Sequence, residues 1–216
     1  MIVRGLIFDF DGVILDTESA LIEAARQIHA DHGVVFDQAA MSRVAGHIGF
    51  GDPWGRFPAA VSRVDLWHRH GTLSHELFGQ LPVMPGVLSW LDAAGAAGLA
   101  LGVASNSTHS YVRAHLDRLG LLPRFGVLSG RDQVDLPKPA PDIYLRTAGL
   151  LGIPPSTAVA VEDSTVGCAS ARAAGLKVIA VPGPATSSHD FSAAQLLLPS
   201  LDRMSLSDAL ARLNGV

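Results

Sequence analysis

"IVRGLIFDFDGVILDTES" (residues 2–19) decides the fold. A run of aliphatic and aromatic residues ends on Asp9 and Asp11, one residue apart, and is followed at once by Gly12. A nearly continuous apolar run of this length suits a strand buried on both faces, as in a parallel sheet. Four further runs have the same character: "GLALGVAS" (98–105), "FGVLSG" (125–130), "TAVAVED" (157–163) and "LKVIAVPG" (176–183). Helical patterns that finish on glycine lie between them, at 85–98, 108–120, 140–152 and 164–175. This alternation predicts an α/β fold, a parallel Rossmann-like sheet with helices on both faces. The stretch 196–213 predicts a short apolar run and a final helix.

The alternation breaks between residues 17 and 83. That stretch has no strand pattern, and helical spacing recurs at 19–33, 38–46 and 58–81. It predicts an inserted all-helical cap (17–83) on a Rossmann-like core built from 1–16 and 84–216.

The chain has 216 residues, 48% hydrophobic and 17% charged, which favours a compact protein over a disordered one. A net charge of −4 offers no basic footprint for nucleic acid or an anionic membrane. Cys168 is the single cysteine, so no intrachain disulfide forms, as suits a reducing compartment. The apolar N-terminus runs into Asp9 and does not read as a signal peptide. No apolar stretch reaches the roughly 20 residues of a membrane helix. The expectation is a cytoplasmic monomer.

In open parallel sheets the site lies at the carboxyl ends of the strands. The first strand delivers Asp9 and Asp11 there, the second Ser105 and Asn106, and the fourth Glu162 and Asp163. The loop after the third carries Lys138 between two prolines. Clustered carboxylates repel and call for a cation; oxygen ligands completed by water and phosphate point to Mg²⁺. Ser105, Asn106 and Lys138 are donors suited to phosphoryl oxygens. One carboxylate can attack phosphorus to give an acyl-phosphate, and a second can move the proton.

Four motifs in order, "DFDGVILDTE" (9–18), "ASNS" (104–107), "KPAPDIY" (138–144) and "VEDS" (161–164), resemble those of the haloacid dehalogenase superfamily, in its phosphatase and β-phosphoglucomutase branch with a small helical cap. The resemblance implies a core strand order of 5-4-1-2-3. It implies Asp9 as nucleophile, Asp11 as general acid and base, and Lys138 as the catalytic ammonium beside the phosphate. Ser105 and Asn106 would bind the phosphoryl group. Mg²⁺ would be held by Asp9, Asp11 (through its carbonyl), Asp163 and Glu162, the last directly or through the metal's waters. Within the Gly-rich "AGHIGFGDPWGRF" (45–57), Gly46, His47, Trp54 and Arg56 are the candidates for substrate contact, because the equivalent segment of that family faces the site.

The function implied is a Mg²⁺-dependent phosphatase acting on a small phosphorylated metabolite, a sugar phosphate or a phosphoglycolate-like acid. Three alternatives stand beside it. A phosphosugar mutase would use the same aspartates, but the segment after Gly46 offers His47 and no arginine before Arg56. A non-catalytic phosphate-binding protein is opposed by the intact set Asp9, Asp11, Lys138 and Asp163. A dehalogenase is opposed by Asp11, which that chemistry lacks. Ser107 and Thr108 are expected to cap the following helix. Cys168 is expected in the core, and His68, His70 and His75 on a solvated helix face.

Overall fold

A computed structural model describes residues 2–37, 53–184, 186–187 and 189–215. The helix expected at 38–46, together with Gly46 and His47, lies outside the described residues. The strands are β1 (Gly5–Phe8), β2 (Ala100–Ser105), β3 (Val127–Gly130), β4 (Ala158–Glu162), β5 (Lys177–Ala180) and β6 (Leu196–Leu197). They form one parallel sheet in the order β3-β2-β1-β4-β5-β6. The five expected strands keep the expected order, and the two-residue β6 extends the sheet beyond β5.

The helices are α1 (Thr17–Asp31), α2 (Arg63–Gln80), α3 (Val87–Ala96), α4 (His109–Arg118), α5 (Asp142–Leu150), α6 (Thr165–Ala173) and α7 (Leu206–Leu213). Successive side chains of a strand point to opposite faces, so a sheet covered on both sides needs apolar residues at every position. Leu6 and Phe8 of β1 join Val103 and Val161 in a cluster with Trp90 of α3 and Leu116 of α4. Ile7, between them, joins Ala160 and Val178 in a second cluster with Ile143 of α5 and Ala171 of α6. Cys168 is buried in this second cluster. Trp90 also binds the chain's end to the core, its Nε1–H donating to the carbonyls of Leu201 and Met204 at 3.0 Å each.

Among the described residues between β1 and α3 there is no strand, only α1, α2, turns, irregular segments and a single isolated bridge between Asp11 and Leu15. Asp16 caps α1 by accepting the Ser19 N–H at 3.1 Å, and Ser62 caps α2 by accepting that of Asp65 at 3.2 Å. α1 packs against α2 around a third apolar cluster of Ala25, Ile28, Trp54, Phe57 and Leu66. His70 departs from expectation. His68 and His75 are exposed, but His70 is buried, with Nε2 3.0 Å from the carbonyl of Leu21. It shares the inner face of α2 with Leu66, Ser74 and Phe78, each four residues apart. Among the described residues no helix is long and apolar enough to cross a membrane.

Candidate active site

The register of the sheet sets the site. Phe8 lies opposite Val103 of β2 and Val161 of β4. The next N–H, that of Asp9, still donates to the Val161 carbonyl at 2.9 Å, so Asp9 leaves the sheet beside Glu162 and Asp163. The chain then turns through Gly12 at φ +77°. A Cβ there would lie 2.0 Å from Oδ2 of Asp163, so only glycine lets the β1 and β4 loops approach this closely. Gly167 on α6 plays the same part for Glu162: a Cβ would stand 2.0 Å from Oε2 and 2.1 Å from Oε1.

Lys138 lies buried between two of these carboxylates, its Nζ 3.0 Å from Asp9 Oδ2 and 2.6 Å from Glu162 Oε1. The Tyr144 hydroxyl donates to the same Oε1, and the Tyr144 ring centroid is 5.1 Å from the ammonium. Asn106 grips the Lys138 main chain: Oδ1 accepts its N–H at 2.9 Å and Nδ2 donates to its carbonyl at 3.4 Å. Ser164 caps α6 by accepting the Gly167 N–H at 3.1 Å while its own hydroxyl faces Glu162 Oε2 at 3.4 Å.

Asp11 has a different environment. Thr17 donates to Oδ1 at 2.7 Å, and Ser105 and Ser107 donate to Oδ2 at 3.2 and 2.6 Å. Ser107 therefore reaches Asp11 and does not cap α4. Thr108 occupies the cap position there, but its hydroxyl pairs with that of Ser110 at 3.3 Å and makes no capping hydrogen bond to the helix backbone. Ser105 is fully buried, its hydroxyl also accepting the Ser107 N–H at 2.9 Å.

Asp9, Glu162 and Asp163 are all buried, and each places one carboxylate oxygen within 4.8 Å of the others. Burial, then the charge of Glu162, pushes the Asp9 carboxyl well above the usual range, against the pull of Lys138. Burial, then Asp9 and Glu162, does the same to Asp163. Burial disfavours the Lys138 charge, but Asp9 and Glu162 outweigh it and hold the ammonium above its ordinary value. When all three carboxylates are ionised beside the one ammonium, two negative charges are left uncompensated in a desolvated place. A hard, all-oxygen donor set with that deficit fits a divalent cation.

These groups open into a cavity of about 360 Å³. Asp9, Asp11, Ser105, Asn106, Lys138 and Asp163 line it from the strand ends, and Thr17, Glu18, Leu21 and Phe78 from the helical segment. Ser107, Tyr111 and Arg131 also reach it. Trp54 and Arg56 are not brought there. Trp54 is fully buried in the third apolar cluster, stacked at 5.6 Å on His29, and Arg56 pairs with Asp37 at 3.0 Å. Thr17, Tyr144 and Gly167 take part in the site's contacts without having been singled out from sequence, and Ser107 was expected only as a helix cap. Ser107 alone had a local signal: two residues beyond Ser105, an extended chain returns its side chain to the same side.

Comparison with known proteins agrees with this fold. The sequence matches the haloacid dehalogenase-like hydrolases over residues 6–181. It is 35% identical to YhcW of Bacillus subtilis (strain 168) over 99% of both chains. It is 33% identical to fructose-1-phosphate phosphatase YqaB of Escherichia coli (strain K12), over 82% of this chain and 95% of that one. The crystal structure of CbbY from Rhodobacter sphaeroides in complex with phosphate superposes with a TM-score of 0.76 at 28% identity, covering 95% and 98% of the two chains. The fold and the strand-end site define a hydrolase. The chain belongs to the haloacid dehalogenase-like hydrolase family.

Proposed function

We propose that the protein is a Mg²⁺-dependent phosphatase that hydrolyses a small phosphorylated metabolite through an aspartyl-phosphate on Asp9. The observation that carries this is the buried arrangement of Asp9, Lys138 and Asp163 on the cavity wall with Glu162 behind them. A sugar phosphate is the favoured substrate class, supported by the name of the YqaB relative and by a cavity of about 360 Å³.

Asp9 attacks phosphorus with one carboxylate oxygen, and the bond to the leaving alcohol oxygen breaks. Asp11, oriented by Thr17, Ser105 and Ser107, gives that oxygen its proton. The Asp11 carboxylate then takes a proton from water. The water oxygen attacks the acyl-phosphate, releasing inorganic phosphate and restoring Asp9. Lys138 neutralises charge on Asp9 and on the phosphoryl oxygens. Asn106 acts through the Lys138 main chain, and Glu162 with Tyr144 fixes the ammonium. Asp9 and Asp163, with the Asp11 carbonyl, would hold Mg²⁺, and Glu162 would bind it or its waters. The ion would supply the positive charge that the three carboxylates lack.

Residues 17–83 act as a cap that closes over the substrate and excludes water. Thr17, Glu18, Leu21 and Phe78 already contribute to the cavity wall. A monomer in the cytoplasm suits the single buried cysteine.

The test is a screen of phosphorylated metabolites with Mg²⁺ and with chelator, on the parent chain and on Asp9→Asn. Phosphate release that needs the metal and disappears in Asp9→Asn is expected. Release that survives either change overturns the mechanism.

A further inference from the structure

We infer that Arg131 recognises a second anionic group on the substrate, at a distance from the phosphoryl group that reacts. Resting on the phosphatase reading, the inference narrows the substrate to phosphate esters that carry another phosphate or a carboxylate.

The cavity wall is acidic, with Asp9, Asp11, Glu18 and Asp163. Among the described residues only two lining side chains are permanently cationic, Lys138 and Arg131. Lys138 is committed, held between Asp9 and Glu162. Arg131 is not: among the described residues its guanidinium has neither an ion pair nor a hydrogen bond, although carboxylates lie on the same wall. The nearest carboxylate in sequence, Asp132, is engaged elsewhere, accepting the His109 N–H at 2.7 Å.

The base of Arg131 is fixed while its tip is free. Its N–H donates to the Ser107 carbonyl at 3.0 Å, and the Ser107 hydroxyl donates to Asp11 at 2.6 Å. Two hydrogen bonds thus tie the Arg131 main chain to Asp11, the proposed general acid. The Arg131 residue as a whole is exposed and lines the cavity. A guanidinium presents several N–H donors in a rigid planar fork that matches a carboxylate or phosphate with two parallel bonds. An ammonium buried at the reacting end and a free guanidinium elsewhere on the wall give two recognition points for a substrate with two anionic ends.

The test compares three substrates of similar size: a sugar monophosphate, a sugar bisphosphate and a phosphorylated hydroxy acid. Each is measured on the parent chain, Arg131→Ala and Arg131→Lys, after thermal melting confirms that the variants fold. On the parent chain, kcat/KM should favour a two-anion substrate over the monophosphate. Whether the bisphosphate or the hydroxy acid gains identifies the second anion. In Arg131→Ala that preference should fall by about 10- to 100-fold, as loss of a charged hydrogen-bond pair implies, and mainly through KM. Arg131→Lys should recover only part of it, because it keeps the charge and loses the fork. If Arg131→Ala weakens all three substrates equally, the residue supplies a general field and the inference fails. If the parent chain hydrolyses the monophosphate with no preference for a second anion, only this inference fails. If it hydrolyses no ester at all, the phosphatase reading fails with it.

Discussion

Oδ2 of Asp163 occupies the space beside Gly12 where any other residue would carry its side chain, 2.0 Å from the ideal Cβ position. Gly12 also sits at φ +77°, which L-residues with a Cβ adopt at a cost of about 1–2 kcal/mol. Gly12→Ala is therefore expected to force Asp163 away from Asp9 and to lower stability by at least that amount. A displacement on the order of 1 Å at such a site costs about a hundredfold in turnover. Thermal melting and kcat, measured together, check both halves.

Asn106 offers a prediction of a different kind. Its amide holds the main chain of Lys138 at both N–H and carbonyl and leaves the ammonium untouched. Asn106→Ala should cost about 1 kcal/mol of stability. It should lower kcat by about tenfold, because the loop bearing Lys138 is no longer fixed. If kcat stayed at the parent value, Asn106 would have no positioning role.

The charge deficit among Asp9, Glu162 and Asp163 has a thermodynamic signature independent of turnover. Mg²⁺ that binds the folded chain raises its stability by mass action, by about 2.7 kcal/mol at a hundred times the dissociation constant. Melting in Mg²⁺ and in chelator should show this shift. The shift should shrink sharply in Asp163→Asn, which removes one of the uncompensated charges. Equal melting temperatures with and without the ion would contradict the metal site.

Acid should weaken the helical segment through His70. Burial holds its imidazole below the ordinary value of 6.5, against the hydrogen bond to the Leu21 carbonyl. The folded state thus favours the neutral ring. As pH falls below 6.5 the unfolded chain takes up a proton that the folded chain refuses, so stability drops until the lower folded value is reached. Above 6.5 the contribution is flat. Comparing urea midpoints at about pH 7.5 and 5.5, the parent chain should lose more than His70→Gln, whose amide never takes up a proton. Equal losses would show that His70 does not contribute.

The sheet was legible because its signal is local and repeated. Leu6, Ile7 and Phe8 are apolar in succession, and only a strand covered on both faces needs that. β6 was legible only as a short apolar run, because two residues, Leu196 and Leu197, are too few to show a period. The inward turn of His70 was readable in the four-residue spacing Leu66, His70, Ser74 and Phe78, but histidine at such a position reads as polar. The candidate site divides the same way. Strand ends located Asp9, Ser105 and Glu162 directly. Tyr144 reaches Glu162 across 18 positions, a pair that nothing short of the folded chain reports, and Ser107 reaches Asp11 across 96, hinted at only by its place two residues beyond Ser105. Trp54 and Arg56 sit in a stretch without periodicity, where sequence could not separate a side chain packed on His29 from one facing the cavity.

Among the described residues the apolar cluster around Trp54 shares no member with either cluster on the sheet. The packing of the helical segment is therefore nearly independent of the packing of the sheet. Changes among Ala25, Phe57 and Leu66 can be compensated by neighbours within the helical segment, without disturbing the strand ends that carry Asp9 and Glu162. A side chain of the Trp54 cluster can be exchanged while the apolar contacts that hold the sheet together stay as they are.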